Sequence, residues 1–469
     1  MGVLSLALRN LMRNRRRSLA TIAAVAVGST SILLFGGYSA NIRYSMETAY
    51  VRGGGHLQVQ HREFNQYGSG NPTAYGIKGY ERLIDAVRSD EVLQKMVVVA
   101  TPTLQFGGIA GNYAASVSRT VIATGMVPVD QALMRQWNFY DIPLISPPLA
   151  LNGAKPDAAL LGVGVARVLQ LCGAFQINDC QSPPKSDVAM GTAIPEDIAQ
   201  LSALEASGAK KDASSSEKAT LPRIELLASS ARGTPNVASL EVVQVEGQGF
   251  KELDEVYLAM HLSQAQRLVY GAGPPRATAV MVQLRQPQQL PAARARLEAM
   301  LPTWSAGQPL AVLDLHLLNP FFVQTNALFN TIFGFIFVLI GGIVLFTVSN
   351  TMNTAVVERT VEIGTLRAMG LRRAGIRFLF VTEGTMLGIA GALSGVVVAL
   401  AISVLVNGLG LEWLPPGSAE PLPLVLRVWG ETGTLVGTSS LLIAVATLSA
   451  WWPAYRAAKL SVVEALRHA

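Results

Sequence analysis

Apolar positions in this chain fall into four long runs, and the sequence between the first two has a different rhythm. A transmembrane helix needs about 20 largely apolar residues. Residues 18–40, 327–352, 378–406 and 432–454 meet that length. The first run exceeds the 7–15 residues of a signal-peptide core, so it reads as a span, with a cleaved leader as the lesser alternative. Residues 41–326 switch instead between period two and period 3.6. HLQVQ (56–60), KMVVVATPTLQFG (95–107), SVSRTVIATGM (116–126), ATAVMVQLR (277–285) and LAVLDL (310–315) read as strands. YERLIDAVRS (80–89), PVDQALMRQW (128–137), HLSQAQRLVY (261–270) and LPAARARLEAML (290–301) read as helices, the second opened by Pro128. AALLGVGVARVLQL (158–171) passes from strand to helix at Gly162, and IELLASS (224–230) with SLEVVQVEGQG (239–249) forms a hairpin pair. The expected fold is therefore a membrane α-helical protein of four transmembrane helices with a large extracytoplasmic α+β domain.

Composition agrees. Half of the 469 residues are hydrophobic and only 14% are charged, against about a quarter in soluble proteins. The net charge is +6, and what matters is where the arginines lie. Arg9, Arg13, Arg15, Arg16 and Arg17 precede the first span; Arg359, Arg367, Arg372, Arg373 and Arg377 lie between the second and third; Arg456, Lys459 and Arg467 follow the fourth. The link at 407–431 has only Arg427. The positive-inside rule then places both termini and the 353–377 segment in the cytoplasm, and 41–326 and 407–431 outside. Residues 1–17 read as an amphipathic helix, with Leu4, Leu8 and Leu11 at helical spacing, lying on an anionic lipid surface. The tail is 455–469, preceded by Trp451 and Trp452, which suit a membrane–water interface.

Within 41–326, residues 140–250 read as an insertion subdomain, and Leu201 to Thr220 has the composition of a loop. Cys172 and Cys180 could pair outside the cytoplasm or stand as two free thiols. The approach to the second span, HLLNPFFVQTNA (316–327), lacks the Gly and Ser of a flexible linker, which would seat the outer domain on a stiff continuation of that span.

Charge and glycine crowd together at Glu358 to Gly370, ERTVEIGTLRAMG. On one helix Glu358 and Glu362 would share a face at i,i+4, a mildly unfavourable like-charge pair that a basic partner would relieve. Arg359 and Arg367 point elsewhere, toward acidic groups or lipid, while Gly364 and Gly370 weaken or end the helix. The bland alternative is a solvated loop carrying positive-inside charge. In the third span Gly384/Gly388 and Gly391/Gly395 form two GxxxG pairs, which let helices approach closely in lipid. Glu383 lies about two turns in, where an ionisable group costs on the order of 2.5–3.5 kcal/mol. It either faces a partner helix or reaches water at the inner interface.

ERTVEIGTLRAMG (358–370) with IRFLFVTEGTMLG (376–388), the tail PAYRAAKLSVVEALR (453–467) and the opening LALRNLMRNRRRS (6–18) resemble MacB, LolC/LolE and FtsX-type ABC permeases. GGHLQVQ (54–60) and VIATGMVP (121–128) resemble outer-domain strands of the LolC/LolE branch. The resemblance implies an outer domain of MacB-periplasmic-core type, an inner-membrane location and a dimer with a second copy or a paralogue. It also implies an ABC ATPase partner that holds ATP and Mg, membrane lipid, and a periplasmic carrier or adaptor. Glu358, Arg359, Glu362, Gly364, Arg367 and Gly370 would then form the ATPase-coupling elbow.

The sequence contains no GxxxxGK[ST], so no cofactor is expected on this chain and the ATPase activity is expected on another. Lipoprotein or lipid release leads, MacB-like efflux follows, and an FtsX-like regulator of cell-wall hydrolases is the different class. A membrane-anchored enzyme, the third class, has little support: no GxSxG, no HExxH and no four-ligand metal spacing occurs, and His56 and His61 fall on opposite faces of a strand. Nucleic-acid binding is not indicated, since no basic stretch interleaves with aromatics.

Overall fold

The computed structural model describes residues 3–68, 71–143, 147–177, 221–305, 307–414 and 421–460. Six helices organise the membrane part: α1 (Val3–Arg13), α2 (Arg15–Gly54), α3 (Pro320–Glu358), α4 (Thr360–Ala368), α5 (Arg373–Leu409) and α6 (Thr432–Lys459). Of these, α2, α3, α5 and α6 are long and apolar enough to cross a bilayer. Their core joins Val25 and Ile32 of α2, Val344 and Val348 of α3, Leu387 of α5, and Leu442 and Ala446 of α6.

The boundary expected at residue 40 is not a structural one. Helix α2 continues unbroken to Gly54, because NIRYSMETAYVR carries no helix breaker and still buries Asn41, Thr48 and Val51. At 1.5 Å per residue its 40 residues span roughly 60 Å, about twice the hydrocarbon thickness. Helix α3 begins at Pro320 and runs 39 residues, so the stretch after Pro320 is stiff, as its composition suggested. Two rods therefore carry the outer domain.

Among the described residues that domain is built on a nine-stranded sheet of β1 (Leu57–His61), β2 (Val97–Asn112), β3 (Val117–Met126), β4 (Ala158–Gly162), β5 (Arg223–Ser229), β6 (Pro235–Glu246), β7 (Tyr257–His261), β8 (Ala279–Leu284) and β9 (Leu310–Asp314). Their order is β9-β1-β8-β2-β3-β7-β4-β6-β5, and β5 also pairs with β2. That last pairing, with Gly108 opposite Ala228 and Gly111 opposite Glu225, closes β2-β3-β7-β4-β6-β5 into a six-stranded barrel. The 16-residue β2 makes this possible. Along one edge its first half pairs with β8 and its second half with β5. Residues 140–250 are thus not a self-contained insertion. They supply β4, β5 and β6, which cover the edges that β2 and β7 would otherwise expose.

Two cores follow from this division. Leu104, Phe106, Leu161, Leu226, Leu240, Leu258 and Met260 fill the barrel, joined by Leu268 and Val269 of the helix Leu262–Tyr270. Val59, Val280, Val282 and Val312 of the open sheet pack on the helices Tyr80–Ser89 and Leu290–Trp304 through Leu83, Ile84, Val87 and Leu297. Cys172 opens a short turn at the barrel. Cys180 and the loop expected at Leu201 to Thr220 lie outside the described residues.

Candidate functional site

The elbow is bent. Helix α3 stops at Glu358 and α4 starts at Thr360, with Arg359 between them at φ −107°, ψ 19°. The expected like-charged helix face therefore does not form. Each carboxylate instead meets an arginine from the start of the chain. Glu358 is held by both terminal nitrogens of Arg17, one at 2.8 Å, and Glu362 accepts from Arg13 at 2.6 Å. Relief of the two acids comes from within the chain.

Arg359 turns inward and is 5% exposed. Its Nη1 donates to Glu383 Oε1 at 2.9 Å and its Nη2 to the Asn10 carbonyl at 3.1 Å. Asn10 Nδ2 donates to the same Glu383 oxygen at 2.6 Å. Glu383, 1% exposed, thus does not reach water and faces a partner helix, α1. It accepts from two elements at once and so ties α1, the α3–α4 break and α5 into one buried latch. An ionised carboxylate and guanidinium can be buried only when paired and hydrogen-bonded. Sequence reading flagged both residues but not the pair, nor Asn10, because the partners are 24 and 373 positions from Glu383.

The rest of the elbow is fixed by backbone. Gly364 is buried inside α4 and does not end it. Gly370, at φ +95°, ends the turn, with Leu371 N donating to Leu366 O at 3.0 Å and Gly370 N to Arg367 O at 3.0 Å. That is the left-handed closure glycine permits. Arg367 donates to the Leu460 carbonyl and so holds the end of α6 to the elbow. The outward side of the elbow is mixed: Val361, Glu362 and Thr365 of α4 are exposed, and after its end so are the apolar Met369, at 72%, and Leu371. Sequence reading, intent on the charges, passed over them.

Within the bilayer part, α5 is the hub, and its two glycine pairs serve different neighbours. A Cβ on Gly388 would lie 2.7 Å from Ala446 Cβ, and one on Gly384 would strike Ala450, both on α6. A Cβ on Gly391 would lie 2.5 Å from Val25 Cβ, and one on Gly395 2.5 Å from Ser29 Cβ, both on α2. Close approach of the backbones is what allows Thr30 to donate to the Gly395 carbonyl at 3.1 Å.

The far end of α2 is anchored by a different chemistry. Two of its last carbonyls are held by the domain: Val51 O, which also accepts from Gly55 N at 3.0 Å, takes Gln283 Nε2 at 3.2 Å, and Arg52 O takes Gln131 Nε2 at 2.9 Å. Gly55, at φ +75°, lies so close to strand β8 that a Cβ would be 2.8 Å from Val282 O. Val51, Trp137, Leu315 and Phe322 form one apolar joint where α2, α3 and the sheet meet. His56 packs edge-on to Trp137, its Nδ1 accepting from Leu284 N at 3.0 Å. Burial holds its imidazole well below the usual range, at about 4. Lower on the same rod, Tyr44 stacks on Tyr140 with ring centroids 4.2 Å apart and donates to Glu431 at 2.7 Å, while Tyr140 donates to Glu47 at 3.0 Å.

The model of the FtsX-like permease C-terminal family matches residues 331–462, from inside α3 through the elbow to the end of α6. The chain carries the FtsX-like permease domain. Relatives include the ABC transporter permease YtrF of Bacillus subtilis, 35% identical over 146 residues, which is 29% of this chain and 30% of that protein. The macrolide export ATP-binding/permease protein MacB of Agrobacterium fabrum is also 35% identical over 146 residues, 30% of this chain and 20% of MacB. An uncharacterized ABC transporter permease, MJ1507, of Methanocaldococcus jannaschii is 29% identical over 120 residues, 26% of this chain and 28% of that protein. The chain thus matches under a third of the length of these relatives. The FtsX-like domain contains Arg359 and Glu383 of the latch, whereas Asn10, Arg13 and Arg17 precede it.

Proposed function

We propose that this chain is the permease subunit of an ABC transporter of MacB/FtsX type, with elbow and termini cytoplasmic and the barrel-bearing domain outside the inner membrane. A separate ATPase docks on the elbow, and its nucleotide-driven movement is passed along α2 and α3 to the outer domain of a dimeric assembly. The observation that carries this reading is the pair of unbroken rods, α2 and α3. They connect the elbow latch to the apolar joint under the sheet with no flexible segment between. The parts suit pushing on a substrate held outside. The cargo class favoured is an acylated protein, a lipid or another amphiphile at the outer face, handed to a carrier or adaptor. A second reading, efflux of small molecules, takes its support from the MacB relatives, whose name states macrolide export.

Purification from native membranes tests the proposal. The wild-type chain should bring an ABC ATPase with it, and Met369→Glu, which touches no internal partner of Glu358 or Glu362, should lose it while the chain still folds. Undiminished ATPase recovery with Met369→Glu would sink the docking face. A bound acylated protein supports release, and a periplasmic adaptor supports efflux.

A further inference from the structure

Between α1, the start of α2 and the middle of α5 lies a groove of about 640 Å³ with an almost wholly apolar lining. Leu8 and Met12 form one wall, Leu19 and Ile22 the second, and Ile389 and Leu393 the third. Arg15 lines it as well, at the turn between α1 and α2. Its volume falls in the range of small-molecule sites, about 300–1,000 Å³. Four of these apolar side chains, Leu8, Met12, Leu19 and Leu393, are more than half exposed. The α5 wall extends from Met386 to Leu393, so the groove runs roughly 10 Å along the helix, away from the charged end.

The charge at its mouth says what fits. Of the five arginines at the start of the chain, Arg13 and Arg17 are committed to Glu362 and Glu358. Arg9, Arg15 and Arg16 are exposed and have no ion-pair partner among the described residues. Arg15 spends only its Nε, donated to the Met12 carbonyl at 3.2 Å. A second copy docked through this face by two-fold symmetry would bring the same arginines against these, a like-charge juxtaposition. A single apolar chain ending in an anion meets both the groove and its rim.

We propose that the groove holds one acyl chain of an anionic phospholipid of the leaflet at the elbow end, with its phosphate at Arg15. The lipid would brace the outer side of α1, whose inner side presents Asn10 to the latch. The inference requires that the helices cross a bilayer; it requires neither the ATPase nor the cargo assigned above.

The test uses the full chain in nanodiscs of phosphatidylcholine, doped with a trace of either phosphatidylglycerol or phosphatidylcholine carrying a diazirine in the acyl chain. Cross-linked peptides are mapped by mass spectrometry. Phosphatidylglycerol should label 386–393 and 8–22 about fivefold more than phosphatidylcholine does, and Arg15→Gln should erase that preference. Ala390→Trp, from the α5 wall, and Leu19→Trp, from the α2 wall, should each suppress this labelling and leave labelling of α6 unchanged. Equal labelling by the two headgroups, or labelling that survives both tryptophans, overturns the proposal. Disulfide joining of two copies through Leu8→Cys would also overturn it and assign the face to a dimer. Loss of the ATPase in co-purification, with the labelling intact, would break only the transporter reading.

Discussion

The two ends of α2 are fastened in opposite ways. At the elbow the fastening is ionic: long side chains from α1 and α2 reach acids on α3, α4 and α5, and only the Arg359–Glu383–Asn10 latch is buried. At the domain the fastening is backbone and aromatic: carbonyls captured by glutamines, a glycine pressed on a strand, and a joint of Val51, Trp137, Leu315 and Phe322. Ionic contacts near water can be exchanged for a partner's contacts at little cost, whereas a packed joint has few alternative arrangements. The difference suits the proposed division of labour, in which the elbow would receive and the joint would transmit.

Breaking the latch should have the largest effect. Removing one partner of a buried pair typically costs about 3–5 kcal/mol because the other charge is left stranded. Arg359→Ala and Glu383→Ala should each lower the unfolding midpoint in detergent, while the double change Arg359→Leu/Glu383→Leu should be milder than either. If the double change cost as much as the two single changes added together, the pair would not be a coupled latch.

The joint should be broken by acid instead. His56 has a folded value of about 4 against an ordinary 6.5. As pH falls, the unfolded chain takes up its proton first, so the stabilisation is full above pH 6.5 and is lost progressively down to pH 4. The whole window corresponds to about 3 kcal/mol. His56→Asn keeps an acceptor for Leu284 N and removes the titration. Thermal unfolding followed across that window should flatten in the variant, and an unchanged slope would clear His56.

Between the two ends, the glycine pairs permit a smaller and more local cut. Overpacking a close contact costs about 1–3 kcal/mol. Gly388→Val should loosen α5 from α6, and Gly391→Val should loosen α5 from α2. Engineered cysteines across each pair would show whether one contact opens while the other holds. If both opened together, the two motifs would form one packing unit.

How much of this was legible follows the same division. Spans, strands and the stiff start of α3 were readable, because period and length are local properties. The glycine pairs were readable as packing devices, though not which neighbour each serves. The latch was half readable: a carboxylate within an apolar run needs a partner, but nothing local says that Arg359 supplies it. The barrel was not readable, because its closure rests on pairing β2 with β5, more than a hundred positions apart. The Tyr44–Glu431 bond, across 387 positions, was beyond any pattern argument. The false step was instructive too. Nothing in ERTVEIG marks a break, so the sequence puts Glu358 and Glu362 on one helix face, whereas the helix breaks at Arg359, whose side chain turns inward to Glu383.

The smallest effect on stability should come from Arg13 and Glu362, whose side chains are 53% and 50% exposed. After solvent screening such a pair contributes about 0.2–1 kcal/mol, so Glu362→Arg should barely move the unfolding midpoint. Its value lies in separating two roles for the same carboxylate. If Glu362 serves only to hold α1 to α4, the exchange Arg13→Glu/Glu362→Arg rebuilds the pair and should restore ATPase co-purification lost in Glu362→Arg. If the ATPase reads the carboxylate itself, beside Met369, the exchange leaves a cation where the partner meets an anion, and association should stay low. The proposed division of labour, with an elbow whose ionic contacts can be handed to a partner, requires the second result. Full recovery in the exchanged pair would make the elbow as closed a structure as the joint.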